Sequence, residues 1–342
     1  MNSFIVMAES GHESLHFFSD NKSQLRALIA VHSTRLGPAL GGTRALSTYA
    51  NEDEAVLDVL RLARAMTYKA ALAGLKHGGG KAVIMLPKSN FDRGQLFEAY
   101  GRAVESLGGR YVTTEDSGTS PQDMAAIRSV TRRVTGMPDT SGDPSPVTAF
   151  GVLRGMEATA QHLFGSTDLR GRRVLVMGVG NVGLSLVAQL IERGAKVWVA
   201  DADSARAAKA QGAGATVVAP AALLDVEADF YAPCALGGAI NDSTLPRLKV
   251  KAITGGANNQ LAEPRHGKAL AEKGVLYVPD YAINAGGLIN VAQEAAGYDR
   301  EKARAKASAI YDTVLDVLKR AREAGRRPEE IADKMAEERY LA

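Results

Sequence analysis

Val174-Leu-Val-Met177 runs directly into Gly178-Val179-Gly180-Asn181-Val182-Gly183, and this junction decides the fold. Four apolar residues read as a buried strand, and the six that follow match G-x-G-x-x-G. The hexapeptide alone is weak in a chain with 35 glycines. Its surroundings strengthen it. An amphipathic stretch, Leu184 to Arg193, follows as a helix, Gly194 ends it, and Lys196 to Ala200 reads as a second strand. Asp201 closes that strand, 18 residues after Gly183. Glycines let a backbone turn tightly against a pyrophosphate, whose charge sits at the helix N-terminus. A carboxylate at the end of the second strand accepts the adenosine ribose hydroxyls and repels a 2′-phosphate. The pattern therefore predicts a dinucleotide site that favours NAD, with Arg206 close enough to soften that preference.

Beyond this junction, strand-like and helix-like stretches alternate: Ala205 to Gln211, Thr216 to Val218, Phe230 to Ala232, Ala252 to Thr254 and Leu276 to Val278. Such alternation predicts a parallel sheet covered by helices. Before it, Pro138 to Pro146 holds three prolines and reads as an inter-domain hinge. Upstream, the pattern predicts short strands between Phe4 and Phe18, and a helix capped by Asn51 and running to about Gly74. It continues with a glycine turn at His77 to Lys81, a strand Ala82 to Leu86, a helix Arg93 to Ser106, a strand Tyr111 to Thr113 and a helix Pro121 to Val130. At 342 residues the length prior also gives two domains. The expected architecture is α/β: residues 1–140, joined by 326–342, form a substrate and oligomerisation domain, and residues 141–325 form a Rossmann-type NAD-binding domain. The chain is charged from Arg300 onward, with a helix break at Gly325 and a restart at Pro328.

Composition narrows the function. The net charge of +3 does not supply the concentrated basic face that nucleic acid demands. No apolar run reaches the roughly 18 residues of a membrane span, so neither nucleic acid nor membrane is an expected partner. The lone Cys234 excludes an internal disulfide and suits a reducing cytoplasm. The six histidines show no metal-ligand spacing, so no metal is expected.

Lys69 and Lys81 flank the glycines of Met66 to Lys81. Residues without a β-carbon suit close approach of backbone to a ligand. A lysine in an apolar cleft beside other cations becomes a base near neutral pH.

These blocks, with Gly37-Pro-Ala-Leu-Gly-Gly-Thr-Arg44, Thr114-Glu-Asp116, Ser145-Pro-Val-Thr-Ala-Phe-Gly151, Tyr231-Ala-Pro-Cys-Ala-Leu236, Ala257-Asn-Asn-Gln-Leu261 and Pro279-Asp-Tyr-Ala-Ile-Asn-Ala-Gly-Gly287, stand in one order. In that order the chain resembles the amino-acid dehydrogenase superfamily (glutamate, leucine, phenylalanine and valine dehydrogenases), most closely its leucine dehydrogenases, over nearly its whole length. The resemblance implies reversible, NAD-dependent oxidative deamination of an L-amino acid to a 2-oxo acid and ammonium. It implies that Lys69 pairs with the substrate carboxylate, helped by Asn259, that Lys81 is the general base for water, and that Asp116 exchanges protons with the substrate amino group. Gly41 and Gly42 admit the substrate to the backbone, Thr148 and Asn284 lie at the nicotinamide end, and Ala235 joins the cofactor site. The side-chain pocket is implied to be lined by Leu40, Met66, Thr114, Thr135, Leu288 and Val291. None of these is charged, which disfavours glutamate. Leu288, where leucine dehydrogenases tend to carry valine, shrinks the pocket and points to leucine, valine or isoleucine. Thr114, where they tend to carry alanine, departs from the pattern. An aromatic L-amino-acid dehydrogenase is the alternative, with a non-catalytic dinucleotide sensor behind it. A 2-hydroxy-acid dehydrogenase fits less well, because lysines rather than a histidine carry the candidate site. His77 ranks below Lys81 as a candidate. The hinge is expected to let two domains close over the substrate. A homo-oligomer is expected, a dimer favoured over an octamer because the chain stops at Ala342.

Overall fold

The computed structural model describes residues 2–342, which form two compact units. Residues 2–143 make the first, together with 291–299 and 336–342; residues 144–290 and 300–335 make the second. Segment 326–335 thus lies in the second unit, where the sequence pattern puts it with the first.

The first unit runs α1 (Ser3–Ser10), β1 (Ser14–Asp20), β2 (Leu25–Ser33), β3 (Ala39–Leu46), α2 (Glu52–Leu72), β4 (Gly78–Met85), α3 (Arg93–Ser106), β5 (Tyr111–Glu115) and α4 (Pro121–Arg128). Its sheet has the order β1-β2-β4-β3-β5. The β1–β2 and β2–β4 pairs are antiparallel, and β4–β3–β5 are parallel. One face packs Ile29 and Ile84 against Phe97, Tyr100 and Met124 of α3 and α4; the other packs Leu28 and Val83 against Val56, Val59 and Leu60 of α2. Burying each such side chain contributes about 1.5–3 kcal/mol.

Two local expectations fail here. The apolar run at Phe4 predicts strands, yet Ser3–Ser10 is a helix, because the Asn2 side chain accepts the Ile5 N–H and Gly11 closes the other end at φ +75°. Caps at both ends outweigh a strand-like composition. The glycines of His77 to Lys81 predict a turn, but Gly78-Gly79-Gly80 are the first residues of β4. Packing explains them. A β-carbon on Gly79 would stand 2.0 Å from the Thr67 nitrogen of α2, and one on Gly41 would stand 1.8 Å from the Gly80 oxygen. The glycines let strands and helix meet backbone to backbone.

Asn51 caps α2 as expected, its side chain accepting the Glu54 N–H at 2.9 Å; the Glu54 carboxylate reaches back to Ala50 N–H rather than to Asn51. The other end of α2 is capped from far along the chain. Arg339 donates to the Ala71 and Leu72 carbonyls, and Tyr68 donates to Glu337.

The second unit contains α5 (Ser145–Phe164), β6 (Arg173–Met177), α6 (Asn181–Glu192), β7 (Lys196–Ala200), α7 (Ser204–Gly212), β8 (Thr216–Val217), β9 (Phe230–Pro233), β10 (Ala252–Ile253), α8 (Arg265–Glu272), β11 (Leu276–Tyr277) and α9 (Asp280–Ile283). It continues through α10 (Gly286–Ala292), α11 (Arg300–Ser308), α12 (Ile310–Ala324) and α13 (Pro328–Leu341), of which residues 291–292 and 336–341 belong to the first unit. Its six strands are all parallel in the order β11-β10-β9-β6-β7-β8. Strand order reverses between β6 and β9, the doubly wound arrangement whose crevice receives a dinucleotide. Strands buried on both faces account for the apolar run Val174 to Val176. Among the described residues, no helix is long and apolar enough to cross a membrane.

Gly79→Ala is expected to lower stability by about 1–3 kcal/mol or to prevent folding, since the contact is with backbone that cannot rotate away. Gly212→Ala, with open space around its β-carbon, is the control and should leave the melting temperature unchanged or slightly raised. Thermal melts of both variants check this.

Candidate functional site

In the first unit the parallel register sets Gly42 beside Thr114 of β5, and Thr43 opposite Ala82 of β4, so Gly42 neighbours Lys81. A β-carbon on Gly42 would come within 2.7 Å of the Asp116 β-carbon. That missing atom lets Asp116 sit against β3. Its Oδ2 lies 2.8 Å from Lys81 Nζ and 3.4 Å from Arg44 Nε. Lys81 is buried and Asp116 is mostly so. Burial works to raise the Asp116 pKa, but Lys81 and then Arg44 outweigh it and hold the carboxyl below the usual range. Lys81 therefore meets an anion at its ammonium, where the sequence argument asked for neighbouring cations. The Thr119 hydroxyl fixes the loop by accepting the Asp116 N–H at 2.9 Å.

Other expected residues gather nearby. Met66 and Lys69 stand three apart on α2, hence on one helical face, both half-buried. Met66 Cγ would be 3.4 Å from a β-carbon on Gly41. Leu40 is fully buried in β3. Thr114 and Val291 flank Gly136, whose φ is +80°. Thr135, next to it, donates its N–H to the Thr113 carbonyl at 2.9 Å. The Glu294 carboxylate, on which the sequence is silent, accepts the Gly136 N–H at 2.9 Å and bonds Ser141, tying this loop to the residues after Val291. His77 Nδ1 faces the Pro38 carbonyl at 3.3 Å.

In the second unit, Gly178 and Gly180 lie between β6 and α6, and Asn181, Val182 and Gly183 open α6. Gly178 has φ +91° and lies against Ala235, which follows β9, and a β-carbon on Gly183 would meet the Gly178 oxygen at 2.0 Å. Internal packing accounts for these two. Gly180 is different: its φ is −66° and a β-carbon there would meet nothing within 4 Å. The protein itself leaves room for a side chain at the N-terminus of α6, where backbone N–H groups attract an anion. Val182 packs on Gly256.

Asp201 follows β7. Its Oδ2 accepts the Val179 N–H and its Oδ1 the Asp203 N–H, both at 2.8 Å. Burial would raise its pKa, but these bonds and Arg206 hold it lowered. Arg206 contacts Asp201 at 3.3 Å and Asp203 at 3.4 Å, so its charge is spent between two carboxylates and the place stays net negative.

Asn284 spends its amide nitrogen on Asn258 Oδ1 and on the Gly256 and Ala257 carbonyls. Its buried Oδ1 has no partner among the described residues, an open acceptor that suits a carboxamide N–H. Thr148 donates its hydroxyl to the Pro144 carbonyl at 3.0 Å and stands against Gly287. Asn259 occupies the left-handed region at φ +52°, and Leu288 is buried in α10. An α6 N-terminus with an uncrowded glycine, an ionised acid after the second strand and an orphaned amide oxygen fit a nicotinamide dinucleotide. Asp242, Glu263 and His266 could gather round a metal, but Arg265 already takes both carboxylates, at 2.6 and 2.9 Å.

A doubly wound sheet carrying such a site fits a dinucleotide-binding protein. Comparison with known proteins narrows the class. Residues 13–133 match the model of the Glu/Leu/Phe/Val dehydrogenase dimerisation domain, and residues 202–332 that of Glutamate/Leucine/Phenylalanine/Valine dehydrogenase. Leucine dehydrogenase of Thermoactinomyces intermedius is 50% identical over 99% of this chain and 93% of its own length. Valine dehydrogenase of Streptomyces albus is 51% identical over 97% and 93%. The crystal structure of L-tryptophan dehydrogenase from Nostoc punctiforme superposes with a TM-score of 0.88 at 43% identity, covering 99% of this chain and 98% of that one. The chain belongs to the Glu/Leu/Phe/Val dehydrogenase family and is an amino-acid dehydrogenase.

Gly180→Ala tests the nucleotide half. The fold should be untouched, with an unchanged melting temperature. Dinucleotide affinity should fall roughly tenfold or more, because a methyl forced into a close contact costs about 1–3 kcal/mol. Titration of NADH fluorescence measures it.

Proposed function

We propose that the chain catalyses the reversible oxidative deamination of a branched-chain L-amino acid, with NAD as hydride acceptor, to the 2-oxo acid and ammonium. The 2.8 Å pairing of Lys81 in β4 with Asp116, the residue after β5, carries this reading. An amino acid brings one carboxylate and one ammonium, so its site needs a cation, an anion and a base. In our assignment Lys69 and Asn259 hold the carboxylate. Asp116, kept ionised, takes a proton from the substrate ammonium and returns it to the departing ammonia. Lys81, relieved of its proton, deprotonates the water that attacks the imine carbon. NAD, when bound, supplies the redox power by accepting the Cα hydride. Thr148 and Asn284 orient its nicotinamide end, and Gly178, Gly180, Asn181, Val182, Gly183, Ala235 and Asp201 hold the rest. The net negative charge around Asp201 and Asp203 supports NAD over NADP.

The substrate side chain is argued from volume. Leu40, Met66, Thr114, Thr135, Leu288 and Val291 offer no charge, so a γ-carboxylate would be buried unpaired at a cost of several kcal/mol. The relatives named leucine and valine dehydrogenase, at 50% and 51% identity, favour a small branched side chain. The likeness to an L-tryptophan dehydrogenase sustains an aromatic substrate as the second reading. The match of residues 13–133 to a dimerisation domain supports a homo-oligomer, for which we favour a dimer built on the first unit. A cytoplasmic site of action agrees with a single, unpaired Cys234.

The deciding experiment is kcat/KM for leucine, valine, isoleucine, phenylalanine, tryptophan and glutamate, with NAD and with NADP. The branched-chain substrates with NAD should rank first, and NADH oxidation with a 2-oxo acid should stop without ammonium. A maximum at tryptophan or phenylalanine would replace the volume argument by the second reading. Lys81→Ala should lower kcat by roughly 10²–10⁴, the usual worth of a general base, while NADH still binds. Near wild-type kcat in that variant removes Lys81 from the role.

A further inference from the structure

Arg44 closes the stretch Gly37 to Arg44, and the roles assigned above leave it unused. Its side chain is 18% exposed and stands between two carboxylates. Nη1 is 2.8 Å from Asp58 Oδ2 of α2, and Nε is 3.4 Å from Asp116 Oδ2, the oxygen that Lys81 also meets. Asp58 is itself held by the Tyr49 hydroxyl at 2.8 Å and by Arg61 at 2.9 Å, so the guanidinium is anchored from behind. Arg44 Nε makes no aligned hydrogen bond among the described residues. Its bearing on Asp116 is that of a fixed charge.

We propose that Arg44 is a positioning residue that keeps Asp116 ionised, ready to take the substrate's proton, when Lys81 serves as a neutral base. The proposal rests on the roles given above to Lys81 and Asp116. A lysine that serves as a base is neutral at one stage of the cycle, and at that stage Asp116 loses the positive charge 2.8 Å away. A mostly buried carboxylate without a cation takes up a proton. Arg44 does not lose its proton at any working pH, so its attraction persists through the cycle. The charged groups facing Asp116 are Lys81 from β4 and Arg44 from β3, with Asp58 of α2 behind Arg44 and the Ser117 N–H from its own loop. The lowered Asp116 pKa, to which Lys81 and then Arg44 contribute against burial, agrees with this arrangement.

The test is the pH profile of kcat for amino-acid oxidation in Arg44→Gln and Arg44→Lys. Removing a fixed cation favours the protonated forms of the groups it faces, so the acid limb of Arg44→Gln should move up by about one pH unit or more. On that limb the rate falls tenfold or more, while the plateau at higher pH stays within a few-fold of wild type. Arg44→Lys should bring the limb back. A loss of equal size at every pH marks a merely structural residue and overturns the proposal. Should Arg44→Gln not fold, Arg44→Lys decides: a limb left in place supports the fixed charge, and a displaced limb overturns it. A thermal double-mutant cycle of Arg44→Gln with Asp116→Asn needs no turnover. The Arg44 effect should shrink in the Asp116→Asn background, and strict additivity overturns the coupling. If wild type oxidises no amino acid, the functional reading fails alone and the thermal cycle still decides whether Arg44 acts on Asp116.

Discussion

The first unit depends on the absence of β-carbons where β3, β4 and α2 meet. A side chain on Gly41 or Gly79 would stand within about 2 Å of neighbouring backbone, and one on Gly42 would displace Asp116. Close-packed interiors do not yield by such amounts. These glycines draw β3 against β4 and α2 over β4, and so bring a lysine and an arginine to one carboxylate oxygen of Asp116. An ion pair this buried contributes little to stability once desolvation is counted. Its worth lies in the geometry and in the protonation state it imposes on Asp116.

The second unit solves a different problem with the same residue type. Gly178 and Gly183 are spent on folding the turn between β6 and α6, whereas Gly180 answers to nothing inside the chain. The distinction separates glycines that the fold requires from one that it does not. Asp201 shows a parallel economy. Its oxygens receive backbone N–H groups from Val179 and Asp203, so the acid we propose for the nucleotide also ties the glycine turn to the end of β7.

Much of this was legible in the residues. The run from Val174 to Asp201 marks strand, turn, helix, strand and acid because each has a local signature, and β7 begins and ends where alternation puts it. Helix α3 likewise spans the expected Arg93–Ser106. What escaped was non-local. Gly78-Gly79-Gly80 look like a turn because glycine breaks regular structure; that they sit in a strand depends on Thr67, Ser33 and Tyr111, which are distant in sequence. Arg44 and Glu294 were missed for a related reason. A lone charged residue carries no spacing signal, and its partner appears only when the register of β3 on β4, or the loop at Gly136, is fixed. The sole hint for Arg44 was its position at the end of the glycine-rich stretch Gly37 to Arg44.

The cap on α2 has a consequence for how the polypeptide acquires its shape. Arg339 supplies donors to the Ala71 and Leu72 carbonyls across 268 residues of sequence in the first case. Residues 291–299 and 336–342 also belong to the first unit. Synthesis proceeds from the N-terminus, at about 5–20 residues per second. The helix that carries Met66 and Lys69 thus leaves the ribosome with its last turn unfinished, and waits roughly 13–55 seconds at those rates for its final donor. The first unit is therefore completed only after residues 336–342 have been made, although most of its residues come first.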